Sequence, residues 1–314
     1  MEPIAKIALR AALLGFMALA REAFAAQISW GNKPEIFQGE VIEVRVSGKD
    51  LAAVRGRWGK EKAYFYPTAA HGFASLVGAD VEAKPGPAKL FLTLINRTGA
   101  EQRREIALKI KAKAFQTQSF NVPPQFDQMT PEALEEIRRE EAAFAKVFAA
   151  PSPERLWEGA FIRPVAQEAS PTSFGSRRII NGVPRAPHSG ADLAAPTGTE
   201  VLASNHGRVA LVGNFFFAGT SVVLDHGGGL FTMYFHLSEP KVEEGAMVKK
   251  GEVIGWSGAS GRVTGPHLHW GARLANARID PFELIKKVSA PPAQTGRPEW
   301  NETEKIYGAE RSLP

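Results

Sequence analysis

The stretch from His188 to Trp270 constrains this chain more than any other. It opens with His188-Ser189-Gly190-Ala191-Asp192, carries Tyr234-Phe235-His236-Leu237 in its middle and closes with His267-Leu268-His269-Trp270. We read these pieces as one zinc site, with His188, Asp192 and His269 as ligands and His236 and His267 beside the metal. Three ligands of His/Asp type leave the fourth position of a tetrahedral zinc open to water, as catalytic sites do. A structural zinc is normally closed, usually by thiolates, and the chain has no cysteine. If His267-Leu268-His269 is a strand, its two histidines point to one face, because side chains alternate with period two. Neither His-x-His nor His-x-x-x-Asp identifies a metal site by itself.

The neighbouring text supplies the specificity. Ser173-Phe174-Gly175 with Arg177-Arg178 precedes His188, and Leu193-Ala194-Ala195-Pro196-Thr197-Gly198-Thr199 follows Asp192. Asp225-His226-Gly227, Tyr234-Phe235-His236-Leu237-Ser238 and Gly265-Pro266-His267-Leu268-His269 come next. In order and separation these blocks resemble the zinc metallopeptidases of family M23, the LytM/lysostaphin-type endopeptidases that cut peptidoglycan peptides. The resemblance covers roughly Trp157 to Leu284, less than half of the chain.

The resemblance implies one Zn2+ per chain, held by His188, Asp192 and His269, with His236 and His267 as the catalytic pair. It implies a C-terminal antiparallel β groove or open barrel of LytM type, with the metal on the groove floor. The implied activity is a zinc metalloendopeptidase acting on peptidoglycan peptide stems. There is no His-Glu-x-x-His, so His236 and His267 must supply proton handling and oxyanion stabilisation. Phe215-Phe216-Phe217 falls in a family loop beside the groove, which suggests a substrate-facing wall, and Arg177-Arg178 lies close enough for Arg177 to meet a substrate carboxylate. An aromatic wall suits a peptide with side chains better than a glycine bridge, so D,D-endopeptidase cleavage of diaminopimelate-type cross-links is expected. The alternative is a non-cleaving M23-like domain that binds the wall or activates an amidase. Such domains usually lose a ligand, and none is missing here.

Composition narrows the rest. Hydrophobic content of 44% and charged content of 23% suit a globular protein. The net charge of +5 fits an anionic polymer such as a cell wall but cannot name it. No Lys/Arg run with interleaved aromatics points to nucleic acid. A monomer is expected.

In chain order, residues 1–25 read as a signal peptide: Lys6 and Arg10, an apolar core from Ala11 to Ala20, and the small-x-small site Ala23-Phe24-Ala25. Export to the periplasm or cell envelope is expected, with no transmembrane span in the mature chain; the alternative is an uncleaved anchor, since Arg21 and Glu22 lie close to the cleavage site. Residues 26–118 alternate. Val41–Val46, Lys89–Ile95 and Ile106–Ile110 read as strands of an immunoglobulin-like β-sandwich, in which His71 carries no chemistry. Residues 119–156 form a helical connector, with Thr130 as N-cap, Pro131 at the first helical position, and Leu134, Ile137, Phe144 and Phe148 on one side. The peptidase domain occupies 157–288 and a proline-rich flexible tail 289–314. Inside the domain, His206 reads as solvated and His226 as structural. The glycine rhythm from Val242 to Ile254 also occurs in biotinyl/lipoyl carriers, but Lys249-Lys250 lacks a carrier lysine's flanks. The fold class is thus mostly β.

Overall fold

The computed structural model describes residues 25–30, 33–68, 72–121, 123, 129–166 and 173–288. All but the last residue of the expected signal, together with His71 and the expected tail, lies outside them.

The N-terminal strands are β1 (Gln27–Trp30), β2 (Glu35–Phe37), β3 (Val41–Ser47), β4 (Leu51–Trp58), β5 (Glu61–Ala63), β6 (Tyr66–Thr68), β7 (Gly72–Gly78), β8 (Gly86–Asn96) and β9 (Glu101–Lys111). They form a four-stranded sheet in the order β1-β3-β7-β6 and a five-stranded sheet in the order β2-β9-β8-β4-β5. Alternation explains how the two meet. Leu90, Leu92 and Leu94 of β8 are buried while their neighbours are partly exposed, the period-two signature of a half-buried strand. They share one core with Val44 and Val46 of β3, Val54 of β4, Val77 of β7 and Ile106 and Leu108 of β9.

Strand β10 (Thr117–Phe120) then leads to helix α1 (Pro131–Ala149). The Thr130 side chain accepts the Ala133 N–H and a proline occupies the first turn, so the helix starts where the capping signal places it. Of the apolar side proposed from sequence, Phe144 and Phe148 pack on the C-terminal sheet. Leu134 is exposed, because α1 reaches the sheet only with its C-terminal half.

The remaining elements are β11 (Arg177–Ile180), β12 (Val183–Pro184), β13 (Gly190–Leu193), β14 (Glu200–Leu202), β15 (Gly207–Phe215), β16 (Gly219–Gly227), β17 (Leu230–Pro240), β18 (Met247–Val248), β19 (Val253–Ser257), β20 (Leu268–Leu274), β21 (Ala277–Ile279) and α2 (Pro281–Lys287). Nine of these strands make one sheet with the path β13-β20-β17-β16-β15-β18; β19 also pairs with β17 and β14, and β21 with β20. The long strand β17 changes partner along its length. Leu230 to Phe235 pair with β20, and Leu237 to Pro240 pair with β19. The sheet therefore forks at His236. One face is apolar: Ala191, Leu193, Tyr234, Leu237, Leu268 and Trp270 all enter one core. By alternation the intervening residues, Asp192, Phe235 and His269, share the other face.

The two β regions are joined tightly. Val41, Tyr66, Ala74 and Leu76 share a core with Trp157, Leu230, Leu274 and Ile279. Asp80 accepts from the Arg278 backbone N–H at 2.8 Å and from its guanidinium at 2.9 and 2.7 Å. Burial alone would raise the Asp80 pKa, but the Arg278 hydrogen bonds outweigh it and hold the carboxyl below its ordinary value. Strand β10 also pairs in parallel with β11, Thr117 opposite Arg177, tying the connector to the peptidase region.

Candidate metal centre

Register brings the centre together. Asp192 of β13 lies opposite His269 of β20, and His269 lies opposite Phe235 of β17. Residues paired across neighbouring strands point to the same face. His188 arrives from the loop before β13, where its N–H donates to the Ser176 carbonyl at 2.9 Å.

The donor atoms converge. His188 Nε2 and His269 Nδ1 are 3.0 Å apart, and each is 3.1 Å from Asp192 Oδ1. Ligand atoms ~2.0–2.1 Å from a tetrahedral zinc sit about 3.3 Å from one another, so this trio closes on one point with a few tenths of an ångström to give. These three form a group able to hold a metal ion. The donor set, two imidazoles and one carboxylate, suits a divalent transition metal. His267 Nε2 lies 3.6 Å from the same Asp192 oxygen, so both histidines of His-x-His enter the cleft. Asp192 is 34% exposed and His269 only 8%, so the centre opens to solvent on the aspartate side.

Backbone carbonyls set the tautomers. The Nδ1 atoms of His188, His236 and His267 lie 3.2, 3.0 and 2.9 Å from the carbonyls of Ser173, Ser260 and Gly265. A carbonyl only accepts, so each Nδ1 carries the proton and each Nε2 is left with a free lone pair. Ser173 Oγ also lies 3.0 Å from His188 Nδ1 and accepts the Asp192 N–H at 3.4 Å. The Ser173 block is prominent in the sequence, but its contact with two of the cluster residues is seen only in the fold.

His236 reaches the cleft through a bulge. Thr220 pairs with Leu237 and Val222 with Tyr234, so Phe235 and His236 together face Ser221. His236 sits at φ 65, a left-handed conformation rare outside glycine. Strict alternation would send His236 to the apolar core with Tyr234, and the extra residue re-aims it. Its N–H donates to the Ala218 carbonyl at 2.9 Å, and its ring lies 4.8 Å from that of His267. Gly190 has a related steric role, since a Cβ there would come within 2.5 Å of His269 Nε2.

Electrostatics follow burial. The His236 pKa is pushed down to about 4, chiefly by burial and then by neighbouring His269. Burial likewise lowers His269. Burial would raise Asp192, yet the His188 and His269 imidazoles against its Oδ1 outweigh burial and hold the carboxyl far below the usual carboxylate range. At neutral pH the cluster therefore presents an ionised carboxylate and neutral imidazoles at His236 and His269, the protonation states a metal requires.

The proposed substrate residues separate. Phe215 packs on Phe144 of α1, with ring centroids 4.8 Å apart. Phe217 is 44% exposed, with Phe216 edge-on behind it and the Arg262 guanidinium 5.9 Å from its ring. Arg177 is exposed on β11, next to the Ser176 carbonyl that receives His188. His226 is fully buried, bonded to the His206 carbonyl and to Thr232, in keeping with a structural role. His206 corrects the sequence reading. It is half-buried rather than solvated, because its Nδ1 accepts the Lys250 N–H.

Residues 186–281 match the family model described as peptidase family M23. A crystal structure of an M23 peptidase from Pseudomonas aeruginosa superposes with a TM-score of 0.63 at 31% identity, over 81% of this chain and 96% of that one. The chain belongs to peptidase family M23. It is 46% identical over 100 residues to the peptidoglycan DD-endopeptidase ShyA of Vibrio cholerae, covering 32% of this chain and 23% of that protein. It is 45% identical over 97 residues to the DD-carboxypeptidase/endopeptidase Mpg of Neisseria meningitidis, covering 31% of this chain and 22% of that protein. The chain thus matches less than a quarter of the length of these two curated relatives.

Proposed function

We propose that this protein is a zinc metalloendopeptidase that hydrolyses peptide cross-links of peptidoglycan as a D,D-endopeptidase. The observation that carries the reading is the convergence of His188 Nε2, His269 Nδ1 and Asp192 Oδ1 on one point, with His236 and His267 beside it. His188, Asp192 and His269 are the ligands in this reading. When bound, zinc would polarise the scissile carbonyl and lower the pKa of a coordinated water to about 7.

The chain's own groups do the rest. His236, anchored through Nδ1 on the Ser260 carbonyl, offers Nε2 to the cleft, and its depressed pKa leaves the imidazole neutral at pH 7 with that lone pair free. His267, anchored in the same way on the Gly265 carbonyl, is the second partner for proton transfer or for stabilising the oxyanion. Phe217 is the exposed member of the aromatic wall, with Phe216 edge-on against it, while Phe215 packs on Phe144. Arg177, exposed on β11, is the residue offered to a substrate carboxylate in this reading.

Support for the substrate comes from the DD-endopeptidase relatives, and a wall substrate calls for export to the periplasm or cell envelope. Among the described residues no helix is long and apolar enough to cross a membrane. The intact ligand set argues against the non-cleaving alternative. Metal analysis tests the assignment: the purified protein should hold one zinc per chain, and Asp192→Ala and His269→Ala should lose it. Full zinc content in either variant would remove that residue from the ligand set.

A further inference from the structure

Helix α1 reaches the metal centre by two separate routes. The first is a row of rings. Phe235 stacks flat on the His269 imidazole, with centroids 5.3 Å apart and an interplanar angle of 6°. Phe144 of α1 meets Phe235 edge-on at 5.8 Å. Alternation along β17 puts Phe231, Met233 and Phe235 on the site-bearing face, and Phe144, Val147 and Phe148 cover that face where the cleft ends. The second route is polar. Glu140 Oε1 accepts the Phe216 N–H at 2.6 Å. Phe216 begins the short turn that ends at Ala218, whose carbonyl accepts the His236 N–H. Glu140 thus steadies the turn that holds the bulge open.

We propose that α1 is a positioning element of the active site: Phe144, acting through Phe235, fixes the plane of His269, and Glu140, acting through the 216–218 turn, fixes His236. Groups that orient a metal ligand typically change metal affinity or activity ~10–100-fold when removed. A plain linker helix would contribute stability alone. Neighbouring contacts separate the two roles, because the Phe148 ring meets Phe231 and the Arg273 guanidinium and stacks on Phe144 at 6.1 Å, whereas the Phe144 ring meets Phe235 itself. Both rings pack α1 on the sheet, but Phe144 is the one in contact with the ring stacked on a ligand. The inference rests on the metallopeptidase reading above.

The test is zinc affinity of the full chain by chelator competition, together with steady-state kinetics. Phe144→Ala should bind zinc roughly 10-fold or more weakly, Phe144→Tyr should restore affinity by returning the ring, and Phe148→Ala should stay within about twofold of the parent. Glu140→Ala should lower kcat roughly 10-fold with KM and zinc affinity unchanged, and Glu140→Gln, which keeps an acceptor oxygen, should recover it. Equal zinc affinity in Phe144→Ala and Phe148→Ala would overturn the first half, and parental kcat in Glu140→Ala the second. A parent protein without zinc would overturn the metallopeptidase reading and this inference together, whereas a zinc-loaded parent indifferent to both Phe144→Ala and Glu140→Ala would overturn this inference alone.

Discussion

The N-terminal sandwich and the C-terminal sheet are both built on alternating strands, yet they bury different chemistry. Among the described residues, the sandwich buries few side chains with polar atoms, Gln38, Ser75 and Tyr66, and the buried members of its central cluster are aliphatic. The C-terminal sheet buries Ser204, Asn205, Asp225, His226, Thr232, His236, Ser257 and His269, among others. Buried polar groups cost free energy unless they are hydrogen-bonded. Four of them meet that need together: His226 Nε2, Thr232 Oγ1, Tyr234 OH and Ser204 Oγ form one chain with links of 2.7, 2.9 and 2.9 Å. A sheet that only has to be stable can be filled with leucine. A sheet that must aim five polar side chains at one point needs a buried polar framework and a strained bulge.

The largest expected break in this comparison is at the bulge. His236→Ala should keep zinc and fold yet lose roughly 10²–10⁴-fold in turnover. Zinc content and peptide hydrolysis measured on one preparation decide it; near-parental turnover would make His236 merely structural. In the sandwich the effect should be the converse. Leu92→Ala removes a side chain only 2% exposed and should cost about 2–5 kcal/mol by denaturant titration, with zinc affinity and turnover of the folded protein unchanged. Altered zinc affinity there would mean that the two regions are not separable in this way.

The subtler test concerns protons. Burial pushes the His226 pKa from 6.5 down to about 4, so the unfolded chain binds a proton at pH values where the folded chain does not. Its stabilising contribution is therefore complete above pH 6.5 and is lost as pH falls toward 4, by about 3 kcal/mol in total. His226→Gln should flatten the stability profile across that window. An unchanged slope would show that other groups dominate it.

The sequence made the centre legible because its chemistry is local. His188 and Asp192 are four residues apart, His267 and His269 two apart, and short motifs survive reading without a fold. The helix start at Thr130 was equally local. What stayed hidden depends on distant pairing. No local pattern announces that His236 takes a left-handed conformation, since the bulge exists only relative to β16. The apolar side of α1 was visible, but its destination beside Phe235 was not. The parallel pairing of β10 with β11 joins segments 60 residues apart, Thr117 with Arg177. His206 looked like a solvated turn residue because its partner, the Lys250 N–H, lies 44 positions away.

The central claim, a metal-dependent peptidase of cross-linked wall peptides, is tested most directly by mass spectrometry of muropeptides after purified peptidoglycan is digested with the purified protein. The zinc-loaded protein should lower cross-linked dimers and raise monomers; chelation should abolish this and added zinc restore it. Dimers left unchanged by protein shown to carry one zinc per chain would contradict the claim.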